Sequence, residues 1–433
     1  MSIISSVTGR RVWDSRGLPT IEAEVRLESG AVGRAIAPSG ASTGSREALE
    51  LRDGGHRIGG KDISLALSHV TGPVARQLTG MSCSDQAGID SALCQLDPSP
   101  LKEVMGGNTL IATSLACLHA AAAEARLPLW AYISRLYGTA ASLPLPEIQI
   151  FGGGAHAGRR VDVQDFMIMV PGASDFDEVM EITYEVYAAA GDIMASRGKR
   201  AGIADEGGWW PLFDSNEEAL ETLVLAIEKA GEVPGRNVVI SLDIAASEFG
   251  RNGTYRLALE DREMSSSDFI DYLGRWLDAY PIVSVEDPLG EDDSDGMREF
   301  TSRFGHRVQI IGDDYLVTRT ELITEAIQDK AANAVLVKVN QIGTVTEAVD
   351  AFRTAQAAGW QTIVSARSGE TEDASISHLA VGLGAGQLKV GSFQRSERMV
   401  KWNECLRIQD ELGAEAFVGG MPLKNSWWQK TQP

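Results

Sequence analysis

Six short apolar runs, each closing on a charged or polar group, constrain this chain more than any other feature. Val238-Val-Ile-Ser-Leu leads to Asp243, Ile282-Val-Ser-Val to Glu286, and Val308-Gln-Ile-Ile-Gly to Asp313. Val335-Leu-Val leads to Lys338, Thr362-Ile-Val-Ser-Ala to Arg367 and Ser368, and Gln387-Leu to Lys389. Segments with helical spacing, such as 320–331 and 344–358, lie between them. Apolar strands alternating with helices predict parallel βα units, and a series this long predicts a closed barrel. Residues at the carboxyl ends of barrel strands converge on one mouth. Three carboxylates and two lysines are therefore expected in one pocket. Asp243, Glu286 and Asp313 offer oxygen donors, which suit Mg²⁺ better than zinc. A single Asp at a strand-to-helix turn is as well explained by helix capping. Recurrence at successive strand ends favours the metal. Lys338 would be costly to bury unless paired or functional.

The 433 residues exceed one small core and predict two domains, one of them barrel-sized. With a net charge of −21 and no basic run to offset it, the chain is not expected to bind nucleic acid or a membrane surface. An anionic substrate remains compatible, because cations gathered in one cleft can reverse the local potential. Cys83, Cys94, Cys117 and Cys405 show no metal-site spacing and read as free thiols in a reducing compartment. No secretory leader pattern is visible, and the apolar segment 110–123 is too short to span a bilayer. A cytoplasmic location is expected.

Residues 3–37 read as a strand meander, with alternation clearest in Ile21-Glu-Ala-Glu-Val-Arg-Leu. Pro38-Ser-Gly-Ala-Ser-Thr-Gly is composed as a mobile loop. Helical patterns cover 63–78, 84–96 and 109–137, so residues 1–137 are expected to form an α+β cap domain. Residues 138–433 are expected to form the barrel domain, entered through Ser142-Leu-Pro-Leu-Pro. Gly152-Gly-Gly-Ala-His-Ala fits a dinucleotide fingerprint formally, but residues 161–170 continue as a strand where that motif needs a helix. The glycines instead let a loop carrying His156 fold over the barrel mouth. Asp205-Glu206-Gly-Gly, after Arg200-Ala-Gly-Ile-Ala, is a further carboxylate pair at a strand end, and both capping and chemistry remain open for it.

Several motifs in order resemble the enolase family: Asp14-Ser-Arg-Gly-Leu-Pro-Thr, Pro38-Ser-Gly-Ala-Ser-Thr-Gly, Glu47-Ala-Leu-Glu-Leu-Arg-Asp, Asp205-Glu-Gly-Gly, Ser284-Val-Glu-Asp-Pro, Gly312-Asp-Asp, Leu336-Val-Lys-Val-Asn-Gln-Ile-Gly, Arg367-Ser-Gly-Glu-Thr-Glu-Asp and Arg395-Ser-Glu-Arg. The resemblance implies an N-terminal α+β cap on a modified eight-stranded α/β barrel of the TIM type, assembled as a homodimer or larger homo-oligomer. It implies two Mg²⁺ sites. Asp243, Glu286 and Asp313 would hold the first, and Ser42 of the lid loop would complete the second once substrate is present. It makes Lys338 the base at carbon, Lys389 a carboxylate-binding lysine, Arg367 and Ser368 phosphate ligands, and Glu206 the acid for a leaving hydroxyl. His156 and Gln164 would line the pocket.

This chain departs from the family at several positions. Ala366 stands where the family has His, and Asp165 follows Gln164 where the family has Glu. Both changes fall on the side that handles the leaving hydroxyl. Arg159 and Arg160 enter the His156 loop, and the bulky Trp209 and Trp210 follow Asp205-Glu-Gly-Gly. Arg46 follows the lid glycine where an apolar residue is common. Together these predict a retained platform for 2-phosphoglycerate or phosphoenolpyruvate-type substrates, weakened dehydration, and Arg159, Arg160 and Trp209 as contacts for another anionic reactant. Carboxyphosphonoenolpyruvate synthase of phosphinothricin-type pathways, which uses a nucleotide-activated phosphonate, is the expected type. A divergent phosphopyruvate hydratase and a non-catalytic binding or structural paralogue are the alternatives.

Overall fold

Eight strands close into a barrel, and every one except the second runs in the same direction. The structure is a computed structural model that describes residues 2–431. The chain begins with an antiparallel meander, β1 (Ile4–Trp13), β2 (Pro19–Leu27) and β3 (Val32–Ile36). Its inner face packs on the helix Gly107–Ala125, whose residues are buried almost throughout. The approach is backbone to backbone: a Cβ on Gly33 would lie 2.1 Å from the Ala116 carbonyl oxygen. Among the described residues, no single helix is long and apolar enough to cross a membrane.

Two helical expectations for the cap were too continuous. The pattern over 109–137 resolves into Gly107–Ala125 and Leu129–Tyr137, bent by 97°. Pro128 forces the break, since it disfavours helical backbone at the residue before it and lacks an amide to continue the ladder. The pattern over 63–78 is interrupted by a wide turn, Val70–Val74, that contains Pro73. Cys83, Cys117 and Cys405 are buried, Cys94 is partly so, and all four are free.

The barrel wall comprises β4 (Leu145–Gly152), β5 (Asp165–Met169), β8 (Val239–Asp243), β12 (Ile282–Glu286), β13 (Gln309–Gly312), β14 (Ala334–Val337), β15 (Gln361–Ser365) and β16 (Gln387–Gly391), in chain order around the ring. Strand β5 is antiparallel to both neighbours, and β16 pairs with β4 to close the wall. Outside the wall, β6 (Arg200–Ile203) and β7 (Trp209–Pro211) form a hairpin attached to β4 through Phe151 and Trp209. A small separate sheet, β9 (Gly250–Arg251), β10 (Thr254–Leu257) and β11 (Arg262–Ser265), precedes the helix that leads to β12. The strand expected over 161–170 is shorter. The Asp162 carboxylate accepts from Ala258 N and Asn216 Nδ2, which holds the approach to β5 as an irregular turn. Asp205-Glu206 follows the end of β6, as expected of a strand end, and occupies the turn of the β6–β7 hairpin outside the wall.

Candidate functional site

The strand ends assemble as the apolar runs predict. Asp243 and Glu286 are the last residues of the neighbouring strands β8 and β12 and lie opposite one another in register. Asp313 follows β13, Lys338 follows β14, and Lys389 projects from the middle of β16. All five are buried. Lys389 Nζ lies 2.8 Å from both Asp243 Oδ2 and Glu286 Oε2, and 3.6 Å from Asp165 Oδ2. Lys338 Nζ pairs with Asp313 Oδ2, whose other oxygen accepts from Gln341 Nε2 at 2.8 Å. Burial opposes the charged form of each lysine, yet the facing carboxylates outweigh it and raise both pKa values.

Asp243, Glu286 and Asp313 do not share one point, because the two ammonium groups lie between and against them. Closely approaching carboxylates occur instead in the sets His156–Asp165–Glu206 and Asp287–Asp313–Asp314. Asp287 serves mainly as a turn cap, accepting from the amides of Asp313 and Asp314 at 2.9 and 2.7 Å. The donor set nevertheless fits a hard divalent cation. Glu286 Oε1 is buried and finds no hydrogen-bond donor among the described residues, a costly condition that an ion would relieve.

The side of the pocket opposite the metal-type carboxylates is built from two loops and a hairpin. His156 sits on the tight turn Gly154–Ala157, with Nδ1 3.1 Å from Asp165 Oδ1 and Nε2 3.7 Å from Glu206 Oε1. Burial works against a charged imidazole, but Glu206 and Asp165 outweigh it and hold the His156 pKa at about 9. Burial would likewise raise Asp165, and His156 more than compensates, bringing it to about 2. Gln149 also donates to Asp165 Oδ1, while Oδ2 accepts no hydrogen bond among the described residues and has Lys389 Nζ at 3.6 Å. Gln164 Nε2 donates to Asp243 Oδ2 at 2.9 Å. The Glu206 carbonyl accepts from Ser392 N, just beyond β16, and this ties the hairpin turn to the barrel mouth.

The lid loop is docked. Arg367 Nη2 donates to the Ser42 carbonyl at 3.0 Å, while Nη1 reaches Glu47 at 2.8 Å and Asn340 at 3.1 Å. Gly40 is required there, since a Cβ would lie 1.9 Å from Arg367 Nη2. Ser39 and Gly369 exchange backbone hydrogen bonds, and Arg46 Nη2 donates to the Tyr315 carbonyl at 2.8 Å. The enclosed space is lined by Ser42, His156, Gln164, Asp165, Glu206 and Ala366, with the lysines and Arg367 behind them. It amounts to only about 20 Å³, room for roughly one water. A larger groove of about 1360 Å³ lies by Pro281, Arg307 and Trp427, toward the amino ends of the strands and away from this chemistry.

Three expected substrate contacts are not in the pocket. Arg159 and Arg160 are 64% and 42% exposed and point to Glu248 and Asp214. The loop turns them outward because Gly158 and Arg159 both take positive φ. Trp209 stacks on Tyr187 at 4.7 Å, lies under the Arg200 guanidinium, and donates from Nε1 to the Tyr187 carbonyl. It braces the hairpin from outside. Trp210 packs near Gly158 and supports the His156 loop in the same way.

The sequence reading overlooked Glu47, which holds Arg367, and Gln149, which holds Asp165. Neither lies at a strand end, although Glu47 belongs to a quoted family motif. It also missed the support beneath Arg367 and Ser368. Fully buried Arg398 donates to their carbonyls and to that of Val390, and Glu370 accepts from Arg367 N while pairing with buried Lys401.

Comparison with known families agrees with this architecture. Residues 4–133 match the model described as enolase, N-terminal domain, and residues 140–426 match enolase, C-terminal TIM barrel domain. With nearly its whole length covered by these two domains in order, the chain belongs to the enolase family.

Proposed function

We propose that this enolase-superfamily enzyme is Mg²⁺-dependent and acts on 2-phosphoglycerate or phosphoenolpyruvate-type substrates at the carbon next to a carboxylate. The observation that carries this reading is the meeting of Lys338, Lys389, Arg367 and Asp243 in one lidded pocket, with Glu286 and Asp313 paired to the two lysines. Asp243, Glu286 and Asp313 would hold one cation, and Ser42 would contribute to a second when substrate is present. Bound there, the cation would place positive charge beside the substrate carboxylate. Lys338 Nζ removes or returns the proton at carbon once it is free of Asp313. Lys389 takes the substrate carboxylate, and Arg367 and Ser368 take the phosphate. The buried, unpartnered Ser368 Oγ and Gln164 Oε1 are available to a ligand of this kind. Because the enclosed space is so small, substrate entry requires the lid to lift and the pocket side chains to move.

Within that class, the arrangement favours a reaction that begins from an existing enolpyruvate, as in carboxyphosphonoenolpyruvate synthesis, over dehydration. A methyl group at Ala366 replaces a polar group on the pocket wall, and Asp165 is committed to His156, Gln149 and Lys389. Glu206, the candidate acid, keeps His156 at 3.7 Å as its ion-pair neighbour. Arg159, Arg160 and Trp209 lend no support to a second, nucleotide-activated reactant, because they lie off the pocket. Positioned acid catalysis contributes roughly 10²–10⁴-fold, or about 3–5 kcal/mol. The test is a coupled assay of 2-phosphoglycerate dehydration in the wild type and in Ala366→His combined with Asp165→Glu. Slow wild-type turnover that the double variant accelerates is expected. Wild-type turnover at the pace of a central metabolic enzyme would restore the phosphopyruvate hydratase reading.

A further inference from the structure

We propose that the amino end of the barrel carries a second ligand site, which takes a small phosphorylated metabolite between the last turns of the chain and the starts of β13 and β15. The site is a cavity of about 380 Å³. Its floor is formed by Gln309 and Gln361, the first residues of those strands, and by Asn333, just before β14. Asp243 and Lys338 close the carboxyl ends of their strands, so this cavity lies at the end of the barrel away from them. One wall is the turn over 305–308, and the other is the tail over 422–430. Gln309 Nε2 donates to the Pro422 carbonyl at 3.2 Å, Trp427 N to the Arg307 carbonyl at 2.8 Å, and Lys430 Nζ to the His306 carbonyl at 3.0 Å. These bonds tie the two walls and the floor together.

The charge of the lining is the reverse of the molecule's. The chain has 60 Asp and Glu against 39 Lys and Arg, yet His306, Lys424 and Lys430 line this cavity and, among the described residues, no carboxylate does. A lysine beside a helix end commonly serves the last carbonyls, and Lys430 does so at His306. Lys424 and the His306 ring have no partner among the described residues, nor do the side-chain amides of Gln361 and Asn425. Two ammonium groups suit a phosphate through charge-assisted hydrogen bonds. The free amides offer both donors and acceptors, which suit hydroxyl groups on the body of the ligand. The volume falls within the range of about 300–1,000 Å³ usual for small-molecule pockets, and leaves room for more than a bare phosphate. A long polyanion is disfavoured, because the rest of the surface is negative.

The test is acetylation of the full chain by an N-hydroxysuccinimide ester, followed lysine by lysine with mass spectrometry. This reads the site separately from any anion bound at the barrel mouth. The probes are inorganic phosphate and ribose 5-phosphate, compared with sodium chloride at equal ionic strength, and the exposed Lys330 is the internal reference. Each probe should slow labelling of Lys424 and Lys430 at least about fivefold relative to Lys330, since an ammonium bonded to an anion is held protonated and covered. Ribose 5-phosphate should do so at the lower concentration. Equal labelling in phosphate and chloride, or a slowing that Lys330 shares, would overturn the site. A sugar phosphate that protects no better than inorganic phosphate would overturn the assignment to a phosphorylated metabolite. Lys424→Gln, a change at an exposed side chain, should abolish the protection of Lys430. Protection of Lys430 that persists in this variant would remove Lys424 from the site and refute the two-lysine clamp.

Discussion

At the scale of single residues, the buried charges make sharp predictions. Glu286→Gln keeps an oxygen but removes a charge from the site, and should weaken Mg²⁺ binding in calorimetry by at least about tenfold. An unchanged affinity would remove Glu286 from the ligand set. Lys338→Ala deletes the candidate base and should slow exchange of the carbon-bound hydrogen with deuterated water by roughly 10²–10⁴-fold. Exchange at the wild-type rate would assign the base elsewhere. Gly40→Ala should impair lid docking, since its Cβ has no space beside Arg367. The expected readout is faster proteolysis within residues 38–47, with little change in global melting. Lys338 and Lys389 were legible in the sequence because a lysine closing an apolar strand is costly without a partner. Glu47 was not, because a carboxylate in a polar loop is common and its partner lies 320 residues away.

At the scale of elements, the β6–β7 hairpin shows how a bulky residue near a site can act without touching substrate. Trp209 is held between Tyr187 and Arg200 and keeps the turn bearing Glu206 against β16. Trp209→Ala should destabilise the protein by about 1–3 kcal/mol, less than for a fully buried aromatic because the residue is only partly buried. Denaturant unfolding measures this. If stability were unchanged while affinity for an anionic ligand fell, Trp209 would be a substrate contact after all. Composition marked the lid as a loop that could move, and the structure adds what it docks on: Arg367, Tyr315 and Glu291. Such partners are invisible to local patterning, since they come from three different strand-to-helix connections.

At the scale of the whole molecule, the cap and the barrel are joined by a buried carboxylate. Asp90, on a cap helix, accepts from Ser114 Oγ and Gln86 beside it and from the amide and hydroxyl of Thr346 at the start of a barrel helix. The Thr346 amide and Gln86 Nε2 can only donate, so Asp90→Asn sets an amide N–H₂ against at least one of them unless the hydroxyls of Ser114 and Thr346 turn to accept. That should cost about 1–3 kcal/mol for each group left unsatisfied. A melting temperature equal to the wild type's would show that this joint contributes nothing to stability. The sequence by itself determined the barrel and the charged residues that close its strands, because the period of apolar runs and the expense of burying charge are both local properties; the antiparallel course of β5 came only from the structure. It also carried the family motifs from the lid to the last barrel strand. Only the tertiary structure decided which charges neutralise which. It set Lys389 on Asp243 and Glu286, gave Arg367 to Glu47, turned Arg159 and Arg160 to the surface, and made Trp209 a brace. Those outcomes depend on the direction each side chain takes after its backbone is placed, and on partners brought together from distant parts of the chain by closure of the barrel.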